Sequence, residues 1–165
     1  MADRVLWVVR HGVAMGADEW PGPDPERPLV ARGWAQAVGL MEFLEGRDAQ
    51  HFLSSPTVRC RDTLVPACHR AGRTVRDEDL LGDCSGLDVG EAVLRTRMRR
   101  VLRVVAQLTP GTCVACSHGD TIPLLLAEAG VSGRPTCPKG SVWELRLDDA
   151  GTVTAATYRG RPGES

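Results

Sequence analysis

Close to its N-terminus the chain reads Val5-Leu6-Trp7-Val8-Val9-Arg10-His11-Gly12. The run of five apolar, mostly β-branched residues predicts a buried β-strand. This strand leads directly into an arginine, a histidine and a glycine. Because open α/β folds bind their ligands at the carboxyl ends of the strands, we expect these residues to line a site for an anion.

The same pattern occurs a second time, about one hundred residues later. A second apolar run, residues 112–116, is followed by Ser117-His118-Gly119-Asp120. The carboxyl ends of parallel strands lie at the same edge of a sheet, so His11 and His118 are expected to converge in one crevice. The other two of the four histidines lack this context, and we interpret them as structural residues.

The composition of the chain argues against several kinds of partner. Its 165 residues, 42% of them hydrophobic, suffice for a compact fold with a sizeable core, and we expect one domain over residues 1–165. The formal net charge of −1 gives no overall basic field for nucleic acid or an anionic membrane surface. The longest apolar runs are too short to span a bilayer, and the N-terminus has no basic segment followed by a long apolar core. The sequence therefore predicts a cytoplasmic protein.

Six cysteines occur at irregular spacing, which in a chain of this length predicts reduced thiols rather than a disulfide framework. Cys113 and Cys116 are spaced like a pair of zinc ligands, with His118 nearby. However, positions three apart in a strand point to opposite faces of a sheet, and no second cysteine pair at zinc spacing follows. We therefore expect no metal site.

Strand-like and helix-like segments alternate along the chain. Hydrophobic periodicity and turn residues predict strands at 51–54, 74–75 and 112–116, a hairpin of 142–147 and 153–158, and helices at 29–44, 91–108 and 122–129. A further helix is expected to open at Ser55-Pro56-Thr57, with a capping hydroxyl. Residues 13–28 are predicted to form a proline-rich loop that either covers the site or only connects elements. Residues 160–165 are predicted to form a frayed tail. The predicted fold class is a three-layer α/β/α fold with a mostly parallel central sheet.

Arg59 lies in the first turn of the helix that follows Ser55-Pro56-Thr57. A guanidinium group there adds to the partial positive charge of the helix N-terminus, and the combination suits a phosphate or a carboxylate. Arg61 is two residues further on, about 200° around the helix axis. Only one of these two arginines is therefore expected to belong to the site.

The residues at the two strand ends favour phosphoryl chemistry. Arginines bind phosphate oxygens in a forked geometry, so Arg10 and Arg59 indicate a phosphoryl group as the ligand. An unprotonated His11 could then attack phosphorus in line and form a phosphohistidine that water hydrolyses, while a protonated His118 stabilises the charge on the equatorial oxygens. Gly12 and Gly119 would let the backbone approach the phosphate closely. This scheme requires no metal and no cofactor.

Four segments, taken in their order along the chain, resemble the histidine phosphatase superfamily, the phosphoglycerate mutase-like proteins. They are Arg10-His11-Gly12, Arg27-Pro28-Leu29-Val30-Ala31-Arg32-Gly33, Ser54-Ser55-Pro56-Thr57-Val58-Arg59-Cys60-Arg61-Asp62-Thr63 and Ser117-His118-Gly119. The resemblance implies a central sheet between helices and His11 as the nucleophile. It also implies that Arg10, Arg59 and His118 complete the phosphate pocket. We further expect substrate contacts from Gly12, Ser117, Gly119 and Asp120.

The resemblance leaves the substrate open. Residues 80–91 lack the Trp-Glu pair of mutase-like members, and the compact chain is similar to SixA-type phosphohistidine phosphatases. Residues 139–145 resemble the phosphatase half of some bacterial Nudix hydrolase fusions. The implied partner is a small phosphorylated substrate, either a nucleotide or a sugar phosphate, or else a phosphohistidine protein. An inactive phosphate-binding module and mutase-type phosphotransfer are the alternatives, and Asp120, Asp83 and Asp88 are candidate proton donors.

Overall fold

The computed structural model describes residues 4–108 and 111–164. Its strands are β1 (Arg4–Arg10), β2 (His51–Ser54), β3 (Val75–Asp77), β4 (Thr112–Ser117), β5 (Val142–Leu147) and β6 (Val153–Tyr158). Its α-helices are α1 (Ala31–Leu44), α2 (Val58–Arg70), α3 (Glu91–Ala106) and α4 (Ile122–Glu128). Two short 3₁₀ turns, Asp24–Glu26 and Asp79–Leu81, lie in the connections.

The six strands form one sheet in the order β3-β2-β4-β1-β5-β6. The four strands from β3 to β1 pair in parallel, and the hairpin of β5 and β6 adds two antiparallel pairings at the β1 side. The predicted α/β fold with a mostly parallel sheet is therefore confirmed. No helix in the described ranges is long and apolar enough to cross a membrane.

Alternation along the strands divides the core into two layers, one on each face of the sheet. In β1, Leu6 and Val8 pack into a cluster with residues of α3 and α4, whereas Trp7 and Val9 pack into a cluster with residues of α1 and α2. In β4, Cys113 belongs to the first cluster and Cys116 to the second, so these thiols point to opposite faces as predicted. All six cysteines are free thiols.

Strand register brings the two repeated motifs side by side. β1 and β4 pair so that Val9 is opposite Cys116 and Arg10 is opposite Ser117. His11 and His118 each follow their strand by one residue, and the His11 N–H donates to the Ser117 carbonyl at 3.1 Å. The two histidines therefore leave the sheet at the same edge, where the loops of the fold converge.

Several local predictions are wrong in detail, and β3 covers Val75–Asp77 rather than residues 74–75. α1 begins at Ala31 rather than at residue 29, because Leu29 and Val30 are extended and pair with Ala14 and Val13. α3 and α4 end one or two residues earlier than predicted. The N-cap of α2 is Thr57, without a side-chain cap.

The predicted frayed tail is also wrong for residues 160–164. The Glu164 carboxylate accepts hydrogen bonds from Arg32 Nε at 3.0 Å and from Gln36 Nε2 at 2.9 Å. The backbone of Pro162 and Gly163 lies against Gly39 so closely that a Cβ on Gly39 would be 2.4 Å from the Pro162 carbonyl oxygen. These contacts fix the chain end on α1, which short-range sequence patterns do not reveal.

Candidate active site

A cleft of about 350 Å³ opens at the carboxyl ends of β1 and β4. It brings together the four side chains that the sequence predicts around one phosphate, and it includes Gly119 and Asp120. The residues that line it are Arg10, His11, Arg27, Arg59, Asp83, Ser85, His118, Gly119, Asp120 and Lys139. The convergence of two imidazoles with several cations makes this cleft the candidate active site.

His11 presents one ring nitrogen for reaction. Its Nδ1 lies 2.7 Å from the carbonyl oxygen of Gly12. Because that oxygen can only accept a hydrogen bond, Nδ1 holds the proton and Nε2 keeps a free electron pair. Burial lowers the pKa of His11 to about 4 and outweighs the hydrogen bond to the Gly12 carbonyl, which raises it. The imidazole is therefore neutral at pH 7 and is suited to nucleophilic attack.

His118 lies next to His11, with 5.5 Å between the ring centroids. Its Nε2 is 2.8 Å from the hydroxyl oxygen of Ser55, and its Nδ1 is 3.9 Å from a carboxylate oxygen of Asp83. The Cys60 Sγ is 3.6 Å from the same Nε2. Both ring nitrogens of His118 thus face polar partners, an arrangement that fixes the orientation of the ring.

The two predicted arginines are held by different segments. Arg10 donates from Nη1 to the Cys137 carbonyl at 2.7 Å. Arg59, only 2% exposed, donates to the Asp24 carbonyl at 3.0 Å and to its carboxylate at 3.2 Å. The buried Nε of each arginine has no hydrogen-bond partner within residues 4–108 and 111–164. Buried donors without partners are costly, and an anion in the cleft could satisfy them.

The two arginines at the start of α2 separate as the helical geometry predicts. Arg59 lines the cleft, whereas Arg61 forms an exposed ion pair with Asp77. Asp24, which contacts Arg59, belongs to the proline-rich loop of residues 13–28. That loop therefore reaches the cleft instead of only connecting two elements.

Two of the three candidate acids line the cleft, and Asp88 does not. Burial raises the pKa of Asp120, and its hydrogen bond to the Asp83 carboxylate raises it further. Burial alone would also raise the pKa of Asp83, but hydrogen bonds from Asp120 and from the Ser85 backbone lower it to about 2. Of the two carboxyl groups, Asp120 is therefore the one that binds a proton first as the pH falls.

Two residues expected to contact substrate lie elsewhere. The Gly12 N–H donates to the Thr63 hydroxyl at 3.0 Å, and a Cβ on Gly12 would be 2.9 Å from the Gly33 carbonyl oxygen, so this glycine permits packing against α1. The Ser117 hydroxyl donates to the Leu81 carbonyl at 2.6 Å. Neither residue lines the cleft.

Gly119 lines the cleft beside Arg10. A Cβ at this position would lie 2.5 Å from Cζ of Arg10. The glycine therefore makes room for the Arg10 guanidinium, a role that the sequence did not predict.

Sequence reasoning did not place Arg27, Ser85 and Lys139 in the site. Arg27 belongs to one of the four segments that resemble the superfamily. Its loop has no periodicity, however, so the sequence does not predict where the side chain points. Lys139 is the only lysine of the chain. In the sequence it begins the segment 139–145, whose resemblance to Nudix fusions assigns it no role. In the structure, the Gly140 N–H donates to the carbonyls of Arg10 and His11 at 3.2 and 3.1 Å and so places Lys139 beside the end of β1.

Comparison with known proteins agrees with this geometry. Residues 6–91 match the Histidine phosphatase superfamily (branch 1). An 8-oxo-(d)GTP phosphatase of Mycolicibacterium smegmatis is 32% identical over 166 residues, which cover 98% of this chain and 49% of that protein. The chain thus spans about half the length of this curated relative.

Solved structures of low sequence identity share the fold. The protein histidine phosphatase SixA complexed with tungstate has a TM-score of 0.73 and 18% identity, with 96% of each chain covered. Bacillus stearothermophilus YhfR has a TM-score of 0.75 and 16% identity, covering 98% of this chain and 97% of that one. The family match and the 32% identical relative establish that the chain belongs to the histidine phosphatase superfamily.

Proposed function

We propose that this phosphatase hydrolyses a phosphoester, phosphoanhydride or phosphohistidine through a phosphohistidine formed on His11, without a metal. The observation that supports this proposal most directly is the state of the His11 ring. Its Nδ1 proton is bound to the Gly12 carbonyl, and its Nε2 is free in a cleft that holds Arg10 and Arg59. A side-chain nucleophile and fixed cations together supply what in-line phosphoryl transfer requires.

In the first step, Arg10 and Arg59 bind the oxygens of the phosphoryl group. The electron pair on His11 Nε2 attacks phosphorus, an N–P bond forms, and the bond between phosphorus and the leaving group breaks. His118, oriented by the Ser55 hydroxyl, stabilises the charge on the equatorial oxygens. The products of this step are the phosphorylated enzyme and the departing group.

The proton that the leaving group needs comes from the pair of carboxyl groups formed by Asp83 and Asp120. We assign Asp120 as the donor, because burial and the neighbouring Asp83 raise its pKa and because it lines the cleft. In the second step a water molecule gives its proton to the now ionised Asp120 and attacks phosphorus. The N–P bond breaks, phosphate leaves, and both the neutral His11 and the protonated Asp120 are restored.

We propose a small phosphorylated molecule as the substrate, with a nucleotide as the first candidate and a sugar phosphate as the second. The 8-oxo-(d)GTP phosphatase activity named for the relative supports a nucleotide, and the structural similarity to SixA raises a phosphohistidine protein as an alternative. The six free thiols support the cytoplasm, a reducing compartment, as the location. We also propose that residues 1–165 form one domain.

The first experiment measures hydrolysis of p-nitrophenyl phosphate with and without a chelator, using the wild type, His11→Ala and His69→Ala. His69 is an exposed histidine at the end of α2 and serves as the matched control. We expect chelator-insensitive hydrolysis that only His11→Ala abolishes. Wild-type turnover in His11→Ala would refute the proposal.

The same preparation tests the other two functions. Phosphate binding without hydrolysis of p-nitrophenyl phosphate, nucleotides, sugar phosphates or a phosphohistidine peptide would indicate an inactive binding module. Isomerisation of a phosphoglycerate in place of phosphate release would indicate a mutase.

A further inference from the structure

The cleft contains more cationic side chains than the proposed mechanism uses. Four cationic side chains line it, and the mechanism uses Arg10 and Arg59 for the group that is transferred. Arg27 and Lys139 remain. They come from two different loops, and no step described above involves them.

Lys139 is fixed by its backbone but its ammonium group is free. Its carbonyl oxygen accepts a hydrogen bond from Gln36 Nε2 at 3.0 Å, and Gln36 also accepts from the Val13 N–H at 2.8 Å. Within the described ranges, the ammonium group has no ion pair and no hydrogen bond. Burial lowers its pKa, and the charges of Arg10, Arg27 and Arg59 act in the same direction. The lysine therefore lies in a positive field that a further anion would relieve.

Arg27 is held in place on one side and open on the other. Its Nη1 donates to the Met15 carbonyl at 2.6 Å, and its Nε donates to the Asp24 carboxylate at 3.0 Å. Its Nη2 has no partner in the part of the chain that the structure describes. Only 15% of the side chain is exposed, so the guanidinium is a preorganised donor at the cleft.

The carboxylates near the cleft leave donors of both side chains unpaired. Asp24 is shared between Arg27 and Arg59, at 3.0 and 3.2 Å, and Asp83 lies 3.5 Å from Arg59. Among the described residues, no carboxylate forms an ion pair with Lys139. A phosphoryl group bound by Arg10 and Arg59 leaves Nη2 of Arg27 and the ammonium group of Lys139 without a partner, so both are available to a second anionic group.

We infer that Arg27 and Lys139 form a second anion subsite that binds the phosphate remaining on the leaving group, so that the substrate class is a phosphoanhydride such as a nucleoside diphosphate or triphosphate. This inference rests on the proposed hydrolysis through His11. The imidazole leaving group of a phosphohistidine has no negative charge, and two additional cations would repel its protonated form. The subsite therefore favours the anhydride over the phosphohistidine substrate.

For a nucleoside diphosphate, the group transferred to His11 is the terminal phosphoryl group. His11 Nε2 forms a bond to the terminal phosphorus, and the bond from that phosphorus to the bridging oxygen breaks. The electron pair stays on the bridging oxygen, which becomes a terminal oxygen of the nucleoside monophosphate, and Arg27 and Lys139 neutralise its charge. Water then hydrolyses the N–P bond, so that one water is consumed and orthophosphate is released.

The kinetic test compares Lys139→Gln with Arg134→Gln, which removes one positive charge from the same loop at an exposed position outside the cleft. For each protein we measure kcat/KM with GDP and with p-nitrophenyl phosphate. We expect Lys139→Gln to lower the ratio of the two kcat/KM values by about 10- to 100-fold, as expected for losing a charged hydrogen bond. We expect Arg134→Gln to leave the ratio within about twofold of wild type. An unchanged ratio in Lys139→Gln would overturn the inference.

A second measurement is independent of catalysis. Because the chain has one lysine, reductive methylation with carbon-13 formaldehyde gives a single dimethyl-lysine resonance besides that of the terminal amine, and it preserves the charge. We titrate wild-type protein with orthophosphate and with the non-hydrolysable imidodiphosphate. We expect imidodiphosphate to raise the pKa of Lys139 more than saturating orthophosphate does. Equal effects of the two anions, or no effect of either, would overturn the subsite. Loss of hydrolysis alone would refute only the proposed function.

Discussion

His11 and His118 occupy matching positions in sequence and in the fold, yet their surroundings give them different chemistry. Each follows a buried parallel strand and precedes a glycine, and both imidazoles are almost fully buried. In His11, Nδ1 is held by the carbonyl of the next residue and Nε2 has no hydrogen-bond partner among the described residues. In His118, the hydroxyl of Ser55 occupies Nε2. In the proposed mechanism, the contacts of the ring nitrogens, and not the motif, separate the nucleophile from the charge-stabilising group.

Replacement of His11 or His118 is expected to have the largest effect on kcat, and the two effects should differ in size. We expect His11→Ala to lower kcat for aryl phosphates by at least about four orders of magnitude, because the covalent route is lost. His118→Ala should lower it by about two to three orders, as expected for a group that stabilises transition-state charge. Steady-state kinetics with p-nitrophenyl phosphate measure both. Equal losses in the two variants would contradict the division of roles.

The two arginines of α2 offer a comparable contrast within one helix. Arg59→Lys keeps the charge but removes the forked donors from a buried position, so we expect kcat/KM to fall about 100-fold. Arg61→Lys, at the exposed ion pair with Asp77, should remain within about twofold of wild type. Similar losses in the two variants would mean that Arg59 acts mainly through overall charge or stability.

The assignment of Asp120, paired with Asp83, as the proton donor predicts that the rate of hydrolysis depends on the basicity of the leaving group. We expect Asp120→Asn to slow phenyl phosphate about 100-fold, but p-nitrophenyl phosphate less than about fivefold, because nitrophenolate leaves without a proton. Since the donor is active while protonated, kcat/KM of wild type for phenyl phosphate should fall as the pH rises through the raised pKa of Asp120. This alkaline decrease should be absent in Asp120→Asn. An unchanged pH profile would exclude Asp120 as the donor.

The smallest expected effect is that of the hydrogen bond that orients His118. Ser55→Ala removes the hydroxyl 2.8 Å from Nε2, and we expect kcat to fall about five- to tenfold with little change in KM. Ser132→Ala, at an exposed position in the loop before β5, is the control and should not change kcat. A change confined to KM would show that Ser55 affects binding and not the charge-stabilising role.

The sequence was sufficient to predict the parts of the molecule that depend on strand periodicity and on strand ends. The apolar runs before His11 and His118, together with the parallel-sheet rule, predicted their convergence, and the angle between Arg59 and Arg61 predicted that only one of the two faces the cleft. These inferences use only the repeat of regular elements. Local geometry of that kind is encoded over a few neighbouring residues.

The remaining features depend on contacts between distant segments. Ser117 could not be assigned from its motif, because its hydroxyl bonds to Leu81, 36 residues away. Lys139 reaches the cleft because Gln36 and Gly140 fix its backbone from across the fold. The attachment of Glu164 to Arg32 and Gln36 likewise spans almost the whole chain. Short-range patterns contain no information on such pairings.

The proposed phosphorylation of His11 is tested most directly by trapping the covalent intermediate and identifying the modified nitrogen. Wild type, His11→Ala and His118→Ala are mixed with a radiolabelled aryl phosphate, quenched in alkaline detergent and digested, and the labelled peptide is analysed. We expect label on Nε2 of His11, because Nδ1 is blocked by the Gly12 carbonyl. The label should be retained in His118→Ala and absent in His11→Ala. Label on His118, or turnover by wild type with no label on either histidine, would contradict the proposed phosphorylation of His11.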